Sequence, residues 1–454
     1  MYTEKSNKAD VCIVGAGLVG SLLAILLAER GFSVDLIEKR SDMRIADIPG
    51  GRTIAMSISN RGWKGLQKVG LDQEILKNTV AKSARKVHMS NGSTQRQEYG
   101  RNGQSIYTID RKYLNSKLLS RAEQTGLVNI IFDTACTKVD YDTCEVELLN
   151  AQNGLRTTNK YQKIIGADGV FSVIAQGMFE NQVNGYNRFS PEYGYKELVI
   201  PPDENQDYKL DPGVVHVWPR GSFNLVALPN INKSFTCTLF LKFEGKTSLS
   251  KLDTHEKVIE FFHEYFSDVA KLIPDLSDQF IRNPISKIYS LKCSPWHYKK
   301  QVLLIGDASH AIAPFFAMGM NVGFEDCTVF DNLLEEYNND LDTVFERFSN
   351  VRVKDTDAIA DMSLKNFTSL GISNDKNYHK KWLINRKLWE KLNDDWVPLY
   401  PMIAFSSIPF SEIAIRSQRQ NDLLSAVFEN ENVDEVNDQL IDYICEKYLK
   451  KSTL

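Results

Sequence analysis

The stretch Asp10–Arg40, DVCIVGAGLVGSLLAILLAERGFSVDLIEKR, constrains the fold of this chain more than any other. Val11–Val14 is a short unbroken apolar run, as expected of a parallel strand buried on both faces. Gly15, Gly17 and Gly20 follow at GxGxxG spacing. A helix is predicted from about Leu18 to Arg30, with Gly31 at its C-terminal end. A second strand, SVDLIE, closes on Glu38. Gly15 allows a tight turn, Gly17 lets a pyrophosphate approach the backbone, and Gly20 lets helix and strand pack closely. The helix N-terminus offers free N–H groups and a positive dipole end to phosphates. Glu38 is placed to accept hydrogen bonds from a ribose. A chance glycine cluster would not bring strand, helix, second strand and terminal acid into register, so dinucleotide binding is expected here. The motif alone does not choose between NAD and FAD.

Two later segments extend this reading. In KYQKIIGADGVFSVIAQ (160–176) an apolar strand at Ile164–Ile165 runs into Gly166-Ala167-Asp168-Gly169. Taken alone this is equally an ordinary strand and an Asp-Gly turn. In QVLLIGD another buried strand is expected to end in Asp307, where a carboxylate near a phosphate loop suits a ribityl hydroxyl. A helix is predicted over Met320–Tyr337, with its apolar face at Val322, Val329, Phe330, Leu333 and Leu334. Its positive N-terminal end would stabilise negative charge near N1 and the C2 carbonyl of a reduced flavin. Gly319, Met320 and Asn321 are therefore placed to cradle the ring. Pro314, Phe315 and Phe316 are placed to wall the site from water, which would destroy a flavin C4a-hydroperoxide.

Composition narrows the function class. The chain has 454 residues, 43% of them hydrophobic, enough for a large core and two or three domains. A net charge of −4 argues against a nucleic-acid or anionic-membrane partner. Seven scattered cysteines without a CxxC pattern fit a reducing, cytoplasmic compartment. The opening MYTEKSNKAD lacks the apolar stretch of a signal peptide. No run of about 18 apolar residues is present, so no membrane anchor is expected. There is no metal-ligand cluster, no Ser-His-Asp arrangement and no side chain marked as a catalytic acid or base; His310 reads as structural.

The three nucleotide segments together resemble the single-component, FAD-dependent aromatic hydroxylases related to p-hydroxybenzoate hydroxylase. The likeness narrows at GRTIAMSISNRG (51–62), YGYKELVIPP (193–202), HVWPR (216–220), LPNINKSFTCTLF (228–240) and NVGFEDC (321–327), which look like the kynurenine 3-monooxygenase family. It runs from about residue 9 to 410. The resemblance implies a tightly bound, non-covalent FAD, NADPH as a transient co-substrate, and molecular oxygen. It implies hydroxylation of L-kynurenine to 3-hydroxykynurenine through the C4a-hydroperoxide, in a monomer or homodimer with a small aromatic amino acid as its partner. Arg85 and Tyr99 stand where the family binds the substrate carboxylate, and a guanidinium fork suits that group. Asn366 and Tyr400 match substrate-contacting positions from its C-terminal region. Arg111 matches a cofactor-contacting arginine. Pro314, Phe315 and Phe316 match the wall around the substrate ring.

The chain departs from the family at two places. Ala317 and Met318 replace a Gly-Gln pair, where a glycine can use a backbone angle that alanine disfavours. Ala175 replaces an arginine that closes the Asp-Gly motif, which leaves NADPH or NADH open. The same hydroxylation of a related aryl amino acid, a non-oxygenating flavin reductase and a non-catalytic flavin-binding module are the alternative readings. The expected architecture is α/β: a doubly wound, Rossmann-like FAD-binding domain, an antiparallel-sheet substrate domain and a C-terminal helical region. The FAD domain is expected from 9–70, 100–180 and 285–340. The substrate-binding β-sheet domain is expected from 72–99 and 181–284, with SFTCTLFLKF as one alternating strand. A helical cap is expected over 341–454.

Overall fold

A computed structural model describes residues 9–45, 55–180, 185–371 and 377–449; the side chains of 367–371 and 378 are not described. The first four residues of the 51–62 stretch lie outside the described residues.

Six strands form the first sheet, in the order β20–β21–β12–β1–β2–β8. They are His297–Tyr298, Val302–Leu304, Lys163–Gly166, Val11–Val14, Val34–Ile37 and Val128–Ile131. All neighbours are parallel except β20 and β21. Such a sheet is covered on both faces, which explains the continuous apolar runs. Helix α1 (Leu18–Glu29) has no polar stripe, because it lies between the sheet and helices α4 (Arg111–Gln124) and α10 (Gly319–Glu336). Val14 pairs with Gly166, so the glycine-rich turn and the Asp-Gly turn leave the same sheet edge side by side. The second segment is thus a strand and Asp-Gly turn set beside the glycine-rich turn.

Strand β21 stops at Leu304, short of the expected end at Asp307. Gly306 takes φ +62° and turns the chain, so Asp307 opens the short helix α9 (Asp307–His310). Helix α10 begins one residue before the prediction, and Val322, Phe330 and Leu334 are buried as expected. Helix α2 (Asn60–Lys68) packs on α10 through Gly65, where a Cβ would meet Phe324 at 3.2 Å.

A small sheet, β3–β7–β4, joins Ala55–Ile58, Ile106–Asp110 and Val80–Lys82. A larger one runs β18–β14–β17–β16–β15–β5–β6. Its strands are Ser286–Lys287, Tyr193–Ile200, Phe235–Lys242, Phe223–Pro229, Val214–Arg220, Ala84–His88 and Thr94–Glu98. It is antiparallel except for β15 with β5. The segment 72–99 therefore divides: Asp72–Leu76 is helix α3, and Val80–Lys82 pairs with β7 rather than with the large sheet. Ser83 turns the chain between the two, donating its N–H to the Gly213 carbonyl and accepting the Tyr99 N–H at its own carbonyl.

Strand β17 carries the predicted alternation, yet nearly all of it is buried. Phe235, Cys237, Leu239 and Leu241 pack against α6 (His255–Tyr265), α7 (Ser267–Ala270) and α8 (Leu276–Arg282). The other face, with Thr238 and Phe240, roofs a central cavity instead of meeting bulk solvent. Strands β9, β10 and β11 (Thr134–Asp140, Glu145–Asn150, Arg156–Lys160) form a flanking sheet, and β13 (Tyr186–Phe189) pairs with β19 (Ser290–Cys293). Helix α5 (Val173–Glu180) follows the Asp-Gly turn.

The C-terminal part is helical: α11 (Leu341–Gly371), α12 (Tyr378–Leu392), α13 (Leu399–Phe405), α14 (Phe410–Asn430) and α15 (Asp438–Ile444). It is fastened by buried charge. Arg352 on α11 donates to Asp326 on α10 at 2.8 Å, and Asp326 also holds His310 and the N–H of Gly306. Among the described residues no helix is long and apolar enough to cross a membrane.

Candidate active site

The phosphate end is built by backbone. Gly15 has φ +107°, and a Cβ there would meet the Ala167 carbonyl at 2.5 Å. A Cβ on Gly20 would meet the Gly15 carbonyl at 2.0 Å. Gly17 faces open space at the start of α1, where a ligand can approach its backbone. Glu38 follows β2 and is buried. Its carboxylate accepts from the Ala16 N–H at 3.1 Å and from Arg40 at 2.7 Å. Burial raises its proton affinity, but Arg40 and the two N–H donors outweigh burial and hold it below the usual carboxylate range. Asp168 caps α5 through the Val173 N–H, while its other oxygen is buried without a partner among the described residues. Asn115 gives its amide N–H to the Ala16 carbonyl and likewise leaves its oxygen unpartnered.

A cavity of about 680 Å³ runs under the large sheet, and the glycine-rich turn is not on its lining. This volume is ample for a ring system and a second aromatic molecule. Arg111, Asp307, Gly319 and Met320 line it. Asp307 lies deep in the molecule yet open to the cavity. Burial raises its proton affinity, and His310 and Arg111 oppose that rise. Asn321 does not line the cavity. Its side chain is fully buried and spent on the Ser57 and Ala317 carbonyls and the Ser59 N–H, at 2.8, 3.1 and 2.8 Å. It thus ties the start of α10 to β3.

At the other end four distant segments meet. Arg85 on β5 and Tyr99 just after β6 join Asn366 of α11 and Tyr400 of α13 on the cavity lining. The Tyr99 and Tyr400 rings lie 4.6 Å apart. Burial, and then Tyr99, push the Tyr400 hydroxyl well above its usual range, with Arg85 opposing. Tyr400 is therefore a neutral donor at any working pH. Asn366 donates to the Phe315 carbonyl at 3.0 Å. Pro314, Phe315 and Phe316 form a short 3₁₀ turn on the same lining, with Phe315 edge-on to Phe240.

Several lining residues have no motif to announce them. Gln97, buried on β6, accepts from Arg85 Nε at 2.6 Å and steers the guanidinium. Asn224 comes from β16, and Trp382 and Arg386 from α12. Only the i, i+2 relation of Gln97 to Tyr99 could have drawn notice. Ala317 adopts the left-handed conformation at φ +56°, which a glycine would take without cost. Met318 turns away from the cavity and is buried against Phe316, Val322 and Met402. Ala175 is fully buried in the core beneath α5.

Residues 8–343 match the family described as FAD binding domain. The kynurenine 3-monooxygenase of Flavobacterium psychrophilum is 38% identical over 95% of this chain and 96% of its own. That of Sus scrofa is 36% identical over 94% of this chain and 90% of its own. Among solved structures, 2-methyl-3-hydroxypyridine-5-carboxylic acid oxygenase superposes with a TM-score of 0.67 at 19% identity, over 82% of this chain and 94% of its own. P. aeruginosa PqsL in complex with 2-aminobenzoylacetate gives 0.64 at 18% identity, over 80% and 99%. These two speak for the fold. The residues present fit an FAD. Gly17 leaves a ligand room, the Asp168 and Asn115 oxygens await a polar partner beside the turn, and Asp307 opens into the cavity.

Proposed function

The chain belongs to the kynurenine 3-monooxygenase family of FAD-dependent enzymes, and from that premise we propose that it hydroxylates L-kynurenine to 3-hydroxykynurenine with NADPH and molecular oxygen. One observation carries the reading: Arg85, Tyr99, Asn366 and Tyr400, from separate parts of the chain, share one cavity with Asp307, Arg111 and Gly319.

Bound FAD supplies hydride acceptance and oxygen activation, chemistry that no side chain here can perform. The chain's own task is placement. Gly15, Gly17, Gly20 and the start of α1 hold the pyrophosphate, Glu38 the ribose, and Asp307 with Arg111 the chain leading to the ring. Gly319 and Met320 set the N-terminal end of α10 against the ring, where its dipole favours negative charge. Asn321 keeps that helix end in place. Arg85, steered by Gln97, takes the substrate carboxylate with Tyr99, and Tyr400 and Asn366 complete that end. Phe315, Phe316 and Pro314 press on the aromatic ring and exclude water. We place the protein in the cytoplasm, since its seven cysteines are all free and six are buried. Its assembly is proposed to be a monomer or homodimer.

The test is NADPH oxidation by the FAD-loaded protein across a panel of aryl amino acids, with products identified by mass. L-Kynurenine is expected to stimulate oxidation most and to gain one oxygen. A larger response to another member of the panel would reassign the substrate.

A further inference from the structure

Lys82 is the last residue of β4 and is fully buried. Among the described residues its ammonium makes one hydrogen bond, to Ser57 Oγ at 2.9 Å, and has no carboxylate partner. Cross-strand register fixes which way it looks. Lys82 opposes Ile106, and Thr108 opposes both Val80 and Ser57. Directly opposed residues share a face, so Lys82, Ile106, Thr108 and Ser57 lie on one side of this small sheet. Ile106 and Ser57 line the cavity. The reverse side, with Tyr107 and Ile109, packs into the dinucleotide core, while Met56 packs there and also reaches the cavity lining. Lys82 thus stands one side chain behind the cavity wall, at its ring end. Thr108 beside it is also buried, with a hydroxyl that has no partner among the described residues.

Ser57 connects this amine to the start of α10. Its carbonyl accepts from Asn321, which also holds the Ala317 carbonyl and the Ser59 N–H. The charged and titratable groups around Lys82 are engaged elsewhere. Asp110 on β7 caps α4, and Tyr107 faces the reverse side. His216 on β15 is bonded to His88 and to the Asp211 carbonyl, and Arg85 on β5 is bonded to Gln97. A methionine would fill this space without burying an ammonium. Such a group is retained at a structural disadvantage unless its charge is used.

We propose that Lys82 is a positioning residue for flavin reduction, acting through Ser57: its buried amine takes up one proton when negative charge enters the ring end of the cavity. Two-electron reduction of bound FAD by hydride delivers two electrons and one proton and leaves one added negative charge. The second proton comes from bulk water and forms the third N–H bond of the Lys82 ammonium, so the site's net charge does not change. Burial supports this role, because it lowers the proton affinity of Lys82 from the ordinary lysine value to about 7, where an added charge nearby changes its protonation. The proposal needs only that FAD binds, and it stands whichever substrate is hydroxylated.

The experiment is the two-electron potential of the FAD-loaded protein, measured by dye equilibration from pH 7 to 9. Each proton taken up with two electrons contributes about 30 mV per pH unit. The parent is expected to fall by about 60 mV per unit, with the reduced flavin showing the anionic spectrum, and Lys82→Met by about 30 mV per unit. Lys82→Arg, permanently charged, should show the shallow slope at a higher potential than Lys82→Met. Equal slopes in parent and Lys82→Met would overturn the proposal. If neither variant retains FAD, the parent decides alone. A shallow slope overturns the proposal, as does a neutral reduced spectrum; a steep slope with the anionic spectrum upholds it.

Discussion

The two ends of the candidate site are built from different materials. The phosphate end is made of backbone: one contiguous strand–helix–strand, two glycines whose Cβ positions are occupied by carbonyl oxygens, and a helix end. The carboxylate end is made of side chains delivered by β5, the end of β6, α11 and α13, with Gln97 behind Arg85. Backbone sites tolerate almost no substitution because nothing can move aside. Side-chain sites lose one interaction at a time and keep the fold.

The sharpest test of that contrast is Gly20→Val. Its Cβ would lie 2.0 Å from the Gly15 carbonyl. The expected outcome is loss of FAD retention and of soluble, folded protein, read by flavin absorbance after gel filtration. Arg85→Ala should instead leave a yellow, folded enzyme whose substrate binding weakens by roughly 2–5 kcal/mol, the cost of removing one partner of a desolvated charge pair, read as a rise in KM. Retained affinity would remove Arg85 from the carboxylate site.

Lys82 lies between the two ends and reads out in stability. Its proton affinity is lowered in the folded chain, so between pH 7 and about 10 the unfolded chain binds the proton more tightly. The folded state therefore carries its full penalty below pH 7 and loses it as pH rises toward 10. Lys82→Met should unfold later than the parent at pH 7, by roughly 4 kcal/mol, with the difference fading by pH 10. Denaturant midpoints at the two pH values check this. Glu38→Ala should weaken FAD retention by about 1.5–3 kcal/mol, the worth of a hydrogen bond to a charged group, seen as faster flavin loss on dilution. The smallest effects concern the altered loop. Ala317→Gly should stabilise by up to about 1 kcal/mol by relieving a left-handed alanine. Met318→Gln should cost about 1–3 kcal/mol by burying an amide in an apolar cluster. The two changes thus oppose each other in melting temperature.

What could be read from the chain follows the same contrast. Strand β1, helix α1, Gly31 and Glu38 were legible because each signal is local and the signals reinforce one another. The Asp-Gly turn became decisive only when β12 was seen beside β1, a pairing that no local pattern encodes. Asn321 was read with Gly319 and Met320 as part of the flavin surface, and Met318 as a departure from the family pattern. The left-handed turn at Ala317 redirects the chain there, so Met318 enters the core and Asn321 reaches back to β3. Lys82, Ser57 and Gln97 are single residues on short strands, and their meaning comes from register across a sheet. Alternation marked β17 as a strand of the substrate domain, but alternation does not tell a solvent face from a cavity roof.

A structure of the FAD-loaded protein with L-kynurenine bound decides whether these two ends serve one reaction. The expected result is the substrate carboxylate on Arg85 and Tyr99, with the aromatic ring between Phe315 and the flavin. A ligand whose carboxylate lies away from Arg85, or a ring outside the cavity shared with Asp307, would contradict it.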